Sequence, residues 1–154
     1  MTLIRPMTES DFPAVWEIVK DSKILDIHTP YTYWAQLNMF PTLMFVAESN
    51  SEIVGFVSGV GHFRKESEAF IWQIGVSEKY RRQGVGMALL SRFREVAKGH
   101  GFTRLSLTIA KDNPGSKMTF EKFAKAIGSQ MIKNGATGTL QDHMKNEVIY
   151  EIDI

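Results

Sequence analysis

Arg81-Arg82-Gln83-Gly84-Val85-Gly86 sets two guanidinium groups beside two glycines. The apolar run Phe70-Ile71-Trp72-Gln73-Ile74-Gly75-Val76 leads into it, and an amphipathic stretch opening Met87-Ala88-Leu89-Leu90 follows it. A glycine-bearing turn between a strand and a helix aims successive backbone N–H groups, and the positive end of the helix dipole, at one point in space. That arrangement suits phosphate. Lys79 adds a third cation close by. Two common phosphate motifs fail here: no lysine follows Gly86, as a P-loop needs, and Leu89 stands where a dinucleotide fingerprint needs its third glycine. An isolated Gly-x-Gly would read as a surface turn with a helix cap. The strand before, the helix after and the three cations together favour an anion site.

Composition narrows the partners. The chain has 154 residues, with 18 basic and 17 acidic side chains. That length predicts one domain spanning 1–154 with room for a core, and the balanced charge gives no reason to invoke nucleic acid or a membrane surface. There is no cysteine, which excludes disulfides and a cysteine acyl-enzyme intermediate. The four histidines are scattered and lack paired ligand spacing, so no metal is expected. No signal peptide or membrane-length apolar run is legible, and a soluble cytoplasmic protein is the default expectation.

The elements that must position the basic turn follow from patterning. Leu3 to Met7 reads as a strand. Thr8-Glu9-Ser10-Asp11 reads as a capping box for a helix with an apolar stripe of Phe12, Val15, Trp16 and Val19. A turn-rich segment from Asp21 to Pro30 precedes a short aromatic helix, Tyr31 to Phe40. Strands are expected at Leu43–Glu48 and Ile53–Val60, joined as a hairpin, with a second hairpin turn near Arg64 leading to a central strand, Ala69–Val76. The helix after the basic turn carries Leu89, Leu90, Phe93 and Val96 and ends at Gly99 or Gly101. Leu105–Ile109 is the next strand. Asp112-Asn113-Pro114-Gly115 then starts a helix carrying Met118, Phe120, Phe123 and Ala124. Gly128 to Gly138 reads as loop around a short strand, and Glu147–Ile152 as the closing strand. Antiparallel hairpins with one strand–helix–strand crossover make an α/β domain with a mixed, mostly antiparallel sheet flanked by helices.

Arg81 to Gly86 fits the pattern Arg/Gln-x-x-Gly-x-Gly/Ala and resembles the pyrophosphate loop of the GCN5-related N-acetyltransferase (GNAT) family. The element order is similar to that family's fold along essentially the whole chain. The resemblance implies acetyl-coenzyme A as co-substrate, and a splayed pair of central strands with the pantetheine arm in the gap. It places Ile74 and Val76 as main-chain contacts and Arg81, Arg82, Gln83, Gly84, Val85 and Gly86 around the pyrophosphate. Asn113 matches a position that commonly contacts the cofactor arm. Many members carry a tyrosine on the following helix that protonates the departing thiolate; Phe120 stands at that position and cannot donate a proton. A thiolate is a tolerable leaving group, so turnover need not be lost. The general acid stays unassigned.

A narrower resemblance runs through Ala14–Asp21, Leu25-Asp26, Tyr31, Phe70–Lys79, Thr108–Asn113, the Phe120–Ala124 segment, His143 and Glu147–Tyr150. These look like the L-2,4-diaminobutyrate acetyltransferases of ectoine biosynthesis. His28-Thr29-Pro30 departs from that group, and Gly128–Gly138 does not align with it. The resemblance implies transfer of acetyl to the γ-amino group of L-2,4-diaminobutyrate by direct attack in a ternary complex, and makes a homodimer plausible. It assigns Asp26, Tyr31, Trp72 and Glu147 to substrate binding, Glu147 or His143 to base duty, and a strand N–H near Val76 to the oxyanion. Such a site suits a diamine: carboxylates hold the dication, an indole face attracts an ammonium, and the reacting nitrogen must lose a proton. Read without the resemblance, Trp72 alternates with Phe70 and Ile74 as a core residue. Asp26 then reads as a turn residue, and Glu147 as an exposed strand residue. The rival activities are acetylation of another small amine, such as a polyamine or amino acid, or of a protein. A rival of another class is a non-catalytic acyl-coenzyme A sensor, supported by Phe120.

Overall fold

The computed structural model describes residues 1–39, 43–62, 64–139 and 145–154. Its first strand, β1 (Leu3–Pro6), meets helix α1 (Phe12–Ser22) through a 3-10 turn, Glu9–Asp11. The Asp11 carboxylate fastens that junction, accepting from the Thr8 N–H at 2.8 Å and from two Arg5 guanidinium nitrogens at 2.8 and 2.9 Å. Helix α1 buries Phe12, Val15, Ile18 and Val19. Trp16, expected on that stripe, is instead half-buried under Lys20, whose ammonium lies 5.1 Å from the ring centre. Helix α2 (Pro30–Met39) buries Tyr33 and Gln36.

Strands β2 (Leu43–Ser49) and β3 (Glu52–Gly61) form the expected hairpin. Its two turn residues, Asn50 and Ser51, both adopt positive φ (51° and 63°), as a tight hairpin of native twist requires. Next come β4 (Glu68–Val76), helix α3 (Val85–Gly99), β5 (Arg104–Ala110), helix α4 (Pro114–Ala126), β6 (Met131–Ala136) and β7 (Glu147–Asp153). Among the described residues they complete one seven-stranded sheet of order β1-β2-β3-β4-β5-β7-β6, in which β4 and β5 pair parallel and the other neighbours antiparallel.

Helices cover both faces of the sheet. On one, Leu89, Leu90 and Phe93 of α3 and Phe120 and Phe123 of α4 pack on Ala69, Ile71, Leu105 and Leu107. Met118, expected among those packing residues, is 68% exposed. On the other face, Val15 and Val19 of α1 and Tyr33 of α2 pack on Met44, Val46 and Phe56. Among the described residues no helix is long and apolar enough to cross a membrane.

Candidate functional site

The site is organised by a strand pair that parts company. β4 and β5 pair only from Glu68 with Arg104 to Ile71 with Leu107. Beyond that, β4 stays with β3 as far as Val76, and β5 stays with β7 as far as Ala110, so a wedge opens between them. The Ser77 N–H donates to the Val54 carbonyl of β3 at 2.9 Å. Backbone groups alternate sides along a strand, so those of Ile74 and Val76 are directed away from β3 and into the wedge. The Val76 carbonyl accepts from Arg81 Nε at 3.1 Å, leaving its N–H for a ligand.

At the end of β4 a 3-10 turn, Glu78–Tyr80, carries the chain into the basic loop. Arg82 and Gly84 adopt positive φ (59° and 84°), and α3 begins at Val85. A Cβ on Gly84 would meet nothing within 4 Å, so glycine is needed there for the left-handed backbone and not for space. A Cβ on Gly86 would stand 3.7 Å from Thr119 and 3.9 Å from Val76; the loop is thus seated between α4 and the end of β4. The Gln83 side chain donates to the Lys79 carbonyl at 2.8 Å, which fastens the turn and leaves its backbone N–H to face a ligand. The amides of Val85, Gly86 and Met87 open a helix of 15 residues, where no preceding helical carbonyl reaches them. With the exposed guanidiniums of Arg81 and Arg82 they form a basic cradle of the kind that suits a phosphate group.

The wedge continues into a cleft of about 340 Å³. Asp26, Trp72, Ile74, Asn113 and Glu147, all singled out from the sequence, line it together. Asn113 caps α4, its Oδ1 accepting from the Ser116 N–H at 3.1 Å. Phe120, 3% exposed, presents only carbon to the cleft wall. Glu147, on β7, accepts a hydrogen bond from the Thr108 hydroxyl on β5. Asp26 is held by its backbone: its carbonyl accepts from Gln73 Nε2 at 2.7 Å, while Gln73 Oε1 accepts from the Tyr33 hydroxyl at 3.1 Å. Tyr33 is fully buried, and that burial pushes its phenol up to about 12, so it remains a donor. The lining is mixed: Asp26 and Glu147 bring two carboxylates and Lys145 one ammonium, the last paired with Asp112 at 3.7 Å.

Trp72 is not the core residue that simple alternation predicts. Ser58 of β3 faces Gln73, and the next residue, Gly59, faces Ile71; the register skips Trp72. This bulge turns the indole out of the ladder, 43% exposed, with its Nε1–H donating to His28 Nε2 at 3.2 Å. Tyr31 is not part of the cleft wall; it is 68% exposed and stacks on Trp34 with ring centres 5.8 Å apart. His143 lies outside the described residues. Val76 stands between the cleft and the basic loop. His28, Gln73 and Thr108 were not singled out for this site from the sequence. Their only signal was position, with His28 two residues after Asp26 and Gln73 next to Trp72.

Comparison with known proteins places this geometry. Residues 8–124 match the acetyltransferase (GNAT) family. A protein of Nocardia farcinica (strain IFM 10152) named L-2,4-diaminobutyric acid acetyltransferase is 36% identical over 154 residues, covering 97% of this chain and 79% of that one. A protein of the same name from Virgibacillus pantothenticus is 30% identical over 125 residues, covering 81% of this chain and 79% of its own. Among solved structures, the diaminobutyrate acetyltransferase EctA of Paenibacillus lautus, in complex with its substrate L-2,4-diaminobutyric acid and coenzyme A, superposes with a TM-score of 0.89. It is 26% identical, with 99% of this chain and 95% of that one covered.

Proposed function

The chain belongs to the acetyltransferase (GNAT) family, and from that membership we propose that it moves acetyl from acetyl-coenzyme A to the γ-nitrogen of L-2,4-diaminobutyrate. The observation that carries the choice of acceptor is the convergence of Asp26, Glu147 and Trp72 on one cleft at the open end of the β4–β5 wedge. Two carboxylates and an indole face suit a short diammonium compound better than a neutral or anionic acceptor. The relatives named for this activity, and the solved complex with diaminobutyric acid and coenzyme A, support the same acceptor.

The co-substrate supplies an activated acetyl thioester; the chain supplies position and charge. The basic loop holds the pyrophosphate, and the backbone groups of Ile74 and Val76 bond the amides of the pantetheine arm across the wedge. Asp26 anchors the ammonium that does not react. Glu147, directly or through a water, takes the proton from the γ-nitrogen, whose lone pair then attacks the thioester carbonyl. The Val76 N–H steadies the oxyanion. Collapse breaks the carbon–sulfur bond; the nitrogen gives its second proton to solvent and the departing thiolate takes one from solvent, Phe120 giving none, which releases the amide and coenzyme A. The absence of cysteine excludes a cysteine acyl-enzyme, in keeping with direct transfer while both substrates are bound together.

A place in ectoine biosynthesis, a cytoplasmic location and a homodimer go with this reading; sedimentation of the purified chain tests the last. The experiment for the function itself is product identification by mass spectrometry and NMR after incubation with acetyl-coenzyme A and L-2,4-diaminobutyrate. Acetyl on the γ-nitrogen is expected. Acetyl on the α-nitrogen alone, or no product, would refute the assignment.

A further inference from the structure

The indole of Trp72 is released from the strand ladder by the bulge and is 43% exposed, so the ladder does not set where it points. Phe70 meets it edge-on at 6.4 Å, an apolar contact that leaves the indole N–H to be fixed by His28. Its ring meets the indole edge-on at 6.0 Å and Tyr33 edge-on at 6.4 Å, and its Nε2 lies 3.2 Å from the indole Nε1. An indole N–H can only donate. His28 Nε2 must therefore accept, which fixes the neutral tautomer with its proton on Nδ1. Tyr33, the wall behind the imidazole, is itself pinned by Gln73, so the order runs from the buried core out to the cleft surface.

We propose that His28 is a positioning and specificity residue for the acceptor: it locks the Trp72 indole in the orientation that meets the substrate ammonium. This rests on the proposed diamine acceptor. The same geometry argues against His28 as the base, because its one free lone pair is already engaged by Trp72. Acceptor affinity should fall when the contact between His28 and Trp72 is removed, while affinity for acetyl-coenzyme A, bound at the far end of β4, stays level.

The test compares wild type with His28→Leu, which removes the acceptor, and His28→Gln, whose amide oxygen can accept in the place of Nε2. Each is read by KM for L-2,4-diaminobutyrate, KM for acetyl-coenzyme A and kcat, and by the indole ¹H–¹⁵N resonance of Trp72. His28→Leu should raise the diamine KM about five- to tenfold, the scale of one lost hydrogen bond, with kcat and the acetyl-coenzyme A KM within about twofold. His28→Gln should restore the diamine KM. The Trp72 resonance should shift in His28→Leu and return toward its wild-type position in His28→Gln. An unchanged diamine KM in His28→Leu overturns the proposal, as does a Trp72 resonance that is the same in His28→Leu as in wild type. A His28→Gln variant as impaired in kcat as His28→Leu would mean the imidazole does chemistry, and also overturns it. Should wild type acetylate no diamine, the proposed function fails, and the Trp72 resonance still decides whether His28 holds the indole.

Discussion

Asp26 and Glu147 reach the cleft by different means, and their substitutions should separate accordingly. Asp26 is carried on a segment tied down through its backbone carbonyl, so Asp26→Asn keeps the fold and removes only charge. The diamine KM should rise about tenfold or more, as for a lost charged hydrogen bond, with acetyl-coenzyme A affinity by calorimetry unchanged. Glu147 has its carboxylate on the Thr108 hydroxyl, so Glu147→Gln can keep that bond while losing the capacity to take a proton. Its kcat should fall with the rise in KM. Wild-type kinetics in both variants would put the acceptor elsewhere. Phe120 belongs to the same scale: its buried phenyl has no proton to give the departing thiolate.

Between β4 and α3, the loop is built from one glycine in a left-handed conformation and side chains bonded back to the strand. Gly84→Val forces a β-branched residue to φ +84°, a strain of about 1–2 kcal/mol. Arg81→Ala removes both a cation proposed to meet the phosphates and the bond to the Val76 carbonyl. Each should raise the dissociation constant for acetyl-coenzyme A about tenfold, and an unaltered constant would remove the loop from the cofactor site. The loop was legible in the sequence because its signals are local: strand, cations, glycine, helix start. Asn113 was legible for the same reason, since a cap and its Pro-Gly follow one another along the chain. The bulge at Trp72 was not. It is a matter of register between β3 and β4, and alternation read along β4 alone assigns the indole to the core. Nor could the sequence show Tyr33 bonding Gln73 forty residues away, the contact by which the core positions Asp26.

Over the whole molecule, two buried groups contribute to how stability responds to pH, beside the half-buried Glu151 carboxyl that Asn134 and Lys65 also lower. Burial alone would raise the Asp11 carboxyl, but hydrogen bonds from Arg5 and Thr8 outweigh it and hold the group below its ordinary 3.8. A carboxyl lowered on folding stabilises the protein above the unfolded value, and that contribution is lost as pH falls through 3.8 toward the folded value. Tyr33 works in the opposite sense. Its folded value of about 12 lies above the ordinary 10.0, so its contribution is whole below pH 10 and is lost as pH rises toward 12. Melting temperatures across pH should fall at both ends, and Tyr33→Phe should flatten the alkaline fall; an identical alkaline slope in that variant would show that another group is responsible. The seven-stranded sheet, opened between β4 and β5, joins the basic loop at one end to the cleft carrying Asp26 and Glu147 at the other, and in the proposed function this pairing selects one diamine. That selection is tested most directly by coenzyme A release from acetyl-coenzyme A, comparing kcat/KM for L-2,4-diaminobutyrate with that for ornithine, lysine, 2,3-diaminopropionate and spermidine. A preference of about a hundredfold or more for diaminobutyrate is the predicted result, the scale of discrimination that polar contacts to a small substrate can supply. Equal rates across the series, or a higher value for spermidine, would contradict it.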